Sequence, residues 1–326
     1  MPTQISSGAV LGALGAKFGR KFVLTIYPEY KLVDGKYVLL DEQKSDILVL
    51  KNPFTLQFSI SRDVMQSANS ANLRIFNLNQ DTRNKIYKDP WSNWIFRPVM
   101  LQAGYAEPLP IIFKGNLLQA TSFREEGSVD FITELRCLDY AFAMSNAWSN
   151  WTVSEPTTKK QDVIDRLIGD LAGHQVTRGV VSSYDGEYAR GYTVCSPTWE
   201  ALQKETDKTC FIDNGEVNCI QNDEGFEGVL DIIDSETGLL GSPKRSQSGV
   251  SFDMIFEPRL AVGNIVQLNS RAMVNLSKNS NFNGQYLVIG ISHNGVISDA
   301  VSGKCKTTVQ LKLPDTVAKN LNAVMV

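Results

Sequence analysis

The chain is poor in residues that do chemistry. Its 326 residues include only two histidines, His174 and His293. Neither has His, Cys or Asp partners at metal-ligand spacing, which argues against a zinc site and leaves each as a surface or hydrogen-bonded structural residue. There are five cysteines, Cys137, Cys195, Cys210, Cys219 and Cys305. The odd count, the wide spacing and the lack of a C-x-x-C argue against a disulfide framework and for synthesis in a reducing cytoplasm. Cys137 and Cys210 stand among apolar strand residues and read as buried free thiols. No G-x-S-x-G, P-loop or G-x-G-x-x-G occupies a strand–turn–helix setting. Carboxylates are plentiful, Glu125 and Glu126 or Asp231 and Asp234 among them, but none is marked out as a pair for acid–base work. The sequence thus offers no catalytic, cofactor-binding or metal-ligating residue, and a non-enzymatic role is expected. Dense Lys/Arg runs are missing too. A net charge of −3 and a pI near 5.6 argue against a protein that coats nucleic acid through a basic face, with Lys159-Lys160 and Lys244-Arg245 the nearest things to a basic patch. No segment is long and apolar enough to span a bilayer. The small, mildly apolar residues 5–16 lack the basic flank of a secretory signal and read as a disordered tail or as an arm that orders against a neighbour.

What is present is β pattern. From Lys21 to Leu138 the grammar is mostly strand. Asp34-Gly35 signals a hairpin between Tyr30–Val33 and Tyr37–Leu40. Phe54, Leu56, Phe58 and Ile60 alternate onto one face, as do Leu73 and Ile75. Asn79 then reads as a helix N-cap with Asp81 in the first turn, and Pro90 is expected to end the short helix. Strands follow near Val99–Tyr105, Ile111–Leu117 and Val129–Cys137.

From about Trp151 the grammar changes. Val163, Ile164, Leu167, Ile168 and Leu171 recur at helical spacing, with Thr157 or Thr158 as the expected cap and Gly173 at the end. A second helix is expected from Pro197 to about Asp207, capped by Ser196. Asn214-Gly215 marks a hairpin between Cys210–Asp213 and Glu216–Ile220. Beyond Val229 strands return, with a turn expected at Gly238–Pro243 and a strand ending near His293. The reading is a mainly β protein with a small α/β module, divided into an arm at 1–19, a β domain at 20–150, the module at 151–228 and a second β domain at 229–326. Trp148 and Trp151 are expected to fill the first inter-domain seam. The aromatic connection Trp91, Trp94, Ile95 and Phe96 is the candidate interface, because large apolar side chains on a loop either fold onto their own core or bind something.

Three stretches together resemble the baseplate hub proteins of tailed bacteriophages, which are similar to the hub part of type VI secretion spikes. The first is Asn72–Leu78 with Thr82–Ile86, then Leu101–Tyr105 and Ile112–Gly115. The second is Thr237–Pro243, then Gly249–Phe252, Glu257-Pro258 and Val262-Gly263. The third is Asn283–Ile289 with Ile291–Gly295. The resemblance implies two tail-tube-like β-barrel or sandwich domains flanking the α/β insertion. It further implies a homotrimeric structural component of the virion that adapts the sixfold tail tube to the threefold central spike or tip and forms part of the DNA channel. The implied partners are further copies of the chain, the tail tube protein and the spike or tip protein, with sheath-side wedge proteins and the tape measure protein beyond them. The chain ends soon after its last strand, so any spike is expected to be a separate protein. Two other readings are a phage-tail cell-wall hydrolase, which would need a carboxylate pair in a groove, and a glycan- or receptor-binding tail module using Trp91 and Trp94.

Overall fold

The computed structural model describes residues 19–33, 36–40, 46–64, 68–92, 95–154, 157–221, 224–245, 249–270, 284–299 and 303–312. Residues 1–18 of the N-terminal arm, the Asp34-Gly35 turn and Trp94 lie outside them. The protein is mainly β with a small α/β module.

The first β region comprises β1 (Lys21–Ile26), β2 (Tyr30–Val33), β3 (Lys36–Leu39), β4 (Leu48–Lys51), β5 (Leu56–Asp63) and β6 (Ser70–Phe76). Helix α1 (Gln80–Ile86) follows, then β7 (Ile95–Phe96), β8 (Pro98–Gly104), β9 (Ile111–Arg124), β10 (Phe131–Leu138) and α2 (Ala141–Asn146). The module holds β11 (Trp148–Val153), β12 (Thr158–Lys159), α3 (Lys160–Ala172), β13 (Thr177–Val181), β14 (Glu187–Tyr188), β15 (Tyr192–Pro197), α4 (Thr198–Glu205), β16 (Cys210–Asp213) and β17 (Glu216–Cys219). The last region contains β18 (Phe226–Ile233), β19 (Leu239–Arg245), β20 (Gly249–Ile255), β21 (Asn264–Leu268), β22 (Gly284–Ile297) and β23 (Cys305–Lys312).

One 13-stranded sheet runs through both β regions in the order β19-β20-β23-β22-β5-β6-β10-β9-β8-β1-β4, with β18 and β21 branching from β22. The join is β22. Its first residues, Gly284–Leu287, pair with β21. Its later residues, Gly290–Ile297, pair antiparallel with β5. Strict alternation explains why these segments are strands. Leu56, Phe58 and Ile60 on β5 and Leu73 and Ile75 on β6 point inward while their neighbours face solvent. They join Phe22, Leu24, Val99, Leu101, Phe113 and Leu135 in one apolar core, each buried side chain contributing roughly 1.5–3 kcal/mol. A second core gathers Ile164, Leu167, Leu171, Leu202 and Val217 of the module with Phe96, Tyr140 and Ala143 of the first β region. A third core gathers Val250, Phe252, Met254, Val288, Val309 and Leu311.

Several local expectations hold. Asn79 caps α1, its Oδ1 accepting the Thr82 N–H at 2.8 Å. The Asn214-Gly215 hairpin forms with Asp213 opposite Glu216, and both turn residues adopt positive φ, 53° and 84°, as that two-residue turn requires. Cys137 and Cys210 are buried free thiols. His174 is a structural histidine whose Nδ1 lies 3.4 Å from the Tyr37 hydroxyl.

Others are corrected. Helix α1 ends at Ile86, before Pro90 acts, because the Lys88 backbone exchanges two hydrogen bonds with Ala120. Thr158 does not cap α3. It is drawn into β12, opposite Tyr188, and Lys159 occupies the cap without a side-chain bond. Ser196 likewise belongs to β15, opposite Ser149, and Pro197 is the cap of α4. Gly238–Pro243 is no simple turn. Leu239 begins an edge strand whose pairing with β20 is interrupted between Leu240 and Lys244. His293 lies inside β22, fully buried, since the strand runs on to Ile297. Phe54 precedes β5 and stays partly exposed. Trp148 is 59% exposed, so it fills no seam. Trp151 packs on the module, its Nε1 donating to Asp170 at 2.7 Å with the Arg166 guanidinium 4.3 Å above its ring.

Candidate functional site

The expected interface connection divides into a buried base and an exposed tip. Ile95 and Phe96 form β7, which pairs with β2 through Lys31 and Tyr30. They are 8% and 1% exposed, and the Phe96 ring contacts Tyr37, Tyr140 and Phe142. Trp91 is 86% exposed, and Tyr87, just after α1, is also open to solvent.

Two buried cations pin this connection. Arg97 donates from its guanidinium to the carbonyls of Lys85, Ile86 and Tyr27 and to the Glu29 carboxylate at 2.9–3.2 Å. Lys85 and Ile86 are the last residues of α1, so Arg97 supplies donors where the helix leaves its carbonyls unpaired. Lys88 donates Nζ to the carbonyls of Ile95 and Leu117 at 2.7 and 2.5 Å. Burial pushes its ammonium down to about 8, and the Glu29 carboxylate opposes that fall. The tip bearing Trp91 therefore stands on a fixed footing.

A second constellation joins parts of the chain far apart in sequence. On β5 the inward alternation Phe58, Ile60 continues to Arg62, which places a guanidinium in the interior. Its Nη1 meets Asp213 at 3.3 Å and its Nη2 donates to the Leu260 carbonyl at 2.9 Å. Asn69 donates Nδ2 to Asp139, to Asp213 and to the Ile212 carbonyl at 3.0–3.3 Å. Asp139 also accepts the Asn214 N–H at 2.8 Å. Arg62 thus pairs with one of two buried carboxyl groups, and Asn69 bridges the two. Burial, then the neighbouring Asp213 charge, pushes the Asp139 carboxyl up to about 8. Burial raises Asp213 as well, against the opposing pull of Arg62. His293 is held neutral, well below its ordinary value, first by burial and then by Arg62. Its Nδ1 lies 2.9 Å from the Thr307 hydroxyl. This node ties the first β region, the module hairpin and the segment after β20. Sequence reading missed it; the readable signal was a charge on the inward face of β5.

Among the described residues no group of three or more His, Cys, Asp or Glu could hold a metal ion, and no helix is long and apolar enough to cross a membrane. The buried ionic groups hold strands and hairpins together, and the segment that follows α1 exposes two aromatic side chains, Tyr87 and Trp91. The fold is shared with proteins of phage tails. It is similar to the 43 kDa tail protein of prophage MuSo2 from Shewanella oneidensis (TM-score 0.57, 9% identity, covering 91% of this chain and 98% of that one). It is also similar to the tail protein from Neisseria meningitidis MC58 (TM-score 0.52, 11% identity, 89% and 96% covered). A chain of the lidded PdpA–VgrG complex of Francisella shares the fold over 92% of this chain and 53% of its own length (TM-score 0.52, 9% identity). No curated protein sequence matches. The family model described as baseplate hub gp41 matches residues 38–298. The chain belongs to that family and is a structural component of the virion tail baseplate.

Proposed function

We propose that the chain forms a homotrimeric hub that adapts the sixfold tail tube to the threefold central spike or tip and lines part of the DNA channel, without enzymatic activity. The observation that carries this reading is the baseplate hub match over most of the chain. Sharing a fold with one chain of a PdpA–VgrG complex adds support for association with a spike protein. In this reading residues 20–150 and 229–326 each act as a tube-like unit, residues 151–228 are the module between them, and residues 1–19 are an arm. Six tube-like units in a closed ring need self-complementary surfaces rather than a reactive pocket. Trp91, Trp94, Ile95 and Phe96 are the proposed contact region with a neighbouring copy or with the tube, with Trp91 the exposed member among the described residues. Wedge and tape measure proteins are further partners, and the chain is made in the host cytoplasm before incorporation.

Light scattering on the purified chain, alone and mixed with tube and spike proteins, tests the reading. A trimer, alone or with partners, is expected. A monomer that also fails to assemble with both partners would overturn it.

A further inference from the structure

Cys210 and Cys219 face each other directly across the module hairpin. The neighbouring pair, Thr209 and Ile220, is the hydrogen-bonded one, because Ile220 N–H donates to the Thr209 carbonyl at 3.3 Å. The Cys219 carbonyl points the other way, accepting the Ser182 N–H of the adjoining segment at 2.8 Å. Cys210 and Cys219 are therefore a non-hydrogen-bonded pair, the arrangement in which opposed Cα atoms stand about 4.5 Å apart and side chains lie closest. That separation falls inside the range of roughly 4.4–6.8 Å that a disulfide spans. Both side chains enter the same module core. Both thiols are free.

We propose that Cys210 and Cys219 are a redox modification site that closes into a cross-strand disulfide when the chain meets a low-molecular-weight disulfide oxidant. One thiolate attacks a sulfur of the oxidant, breaking its S–S bond and expelling one small thiolate. The second cysteine then attacks the protein sulfur of the mixed disulfide and expels the other. Two protein S–H protons pass to the two released thiolates, so the oxidant is reduced to two thiols as the protein S–S bond forms. Burial raises both thiols above their ordinary range, Cys210 to about 11, so reaction waits on opening of the hairpin and is slow in the folded chain. A reducing cytoplasm keeps the pair open, and an oxidising exterior favours closure. The ring would lock the hairpin whose turn carries Asp213 and Asn214, the two residues that reach Asn69 and Asp139. This inference does not depend on the trimeric hub reading.

The test incubates the full chain with oxidised glutathione, with and without mild urea, alkylates remaining thiols and maps peptides by mass. Exposed Cys195 reports that the oxidant is active. The expected result is a linked peptide joining Cys210 to Cys219 with loss of two thiols and two hydrogens, forming faster in mild urea. Cys210→Ser and Cys219→Ser chains should yield no such link. If Cys195 is modified while both hairpin thiols stay free under all conditions, the proposal is wrong. Separate glutathione adducts on Cys210 and Cys219 without a link, or a link from either to another cysteine, would overturn it equally.

Discussion

Arg62 and Asp213 meet 3.3 Å apart in the interior, one from the first β region and the other from the turn of the module hairpin. Their pairing joins segments 151 residues apart in sequence. Removing either partner leaves the other as an uncompensated buried charge, which typically costs about 3–5 kcal/mol. Arg62→Ala should lower unfolding free energy by about that amount in urea titration. The double change Arg62→Met with Asp213→Leu should cost clearly less than the sum of the two single changes.

Asp139 makes stability depend on pH. Its carboxyl stays protonated in the folded chain up to about 8, whereas in the unfolded chain it ionises near 4. The folded state thus binds the extra proton between those values, so stability falls as pH rises through that window, by up to about 1.4 kcal/mol per unit. The contribution is fully present below pH 4 and is gone above about 8. Denaturation midpoints measured from pH 5 to pH 9 should decline, and Asp139→Asn should flatten the decline. An unchanged slope in that variant would place the titration elsewhere.

Arg97 and Lys88 predict a local failure. Arg97→Ala would leave the Glu29 carboxylate and the carbonyls of Lys85 and Ile86 without their donors, each unsatisfied group costing about 1–3 kcal/mol. Hydrogen exchange should show the loss first in α1 and β7, ahead of the last β region, whose core is separate.

Trp91 and Phe96 should separate assembly from folding. Phe96→Ala opens a void in the core and should cost about 3–5 kcal/mol. Trp91→Ala touches an exposed side chain and should shift stability by no more than about 0.5 kcal/mol. If the tip is an assembly contact, the Trp91 variant folds normally but co-sediments poorly with its partners. Normal assembly by that variant would remove Trp91 from the interface.

Much of the backbone was legible because its signals are local. The Asn79 cap and the Asn214-Gly215 turn depend on a few adjacent residues, and both form as read. Thr158 and Ser196 had equally good capping chemistry, but strand partners at Tyr188 and Ser149 claimed their backbones first. Gly238–Pro243 reads as a turn, yet pairing with β20 makes most of it an interrupted strand. The Arg62 node could not be assembled from sequence. Its members at positions 62, 69, 139 and 213 meet only after the hairpin docks. Of the expected interface residues, Ile95 and Phe96 turn inward because β2 offers them a ladder, whereas Trp91 has none.

The shared strand β22 has a mechanical consequence. A pull separating the two β regions would act on the ladder from Gly290 to Ile297 against β5, loading many hydrogen bonds at once in shear rather than straightening a linker. Under axial tension the two regions should yield together, and a force spectrum of the full chain should show one rupture where two tethered units would give two.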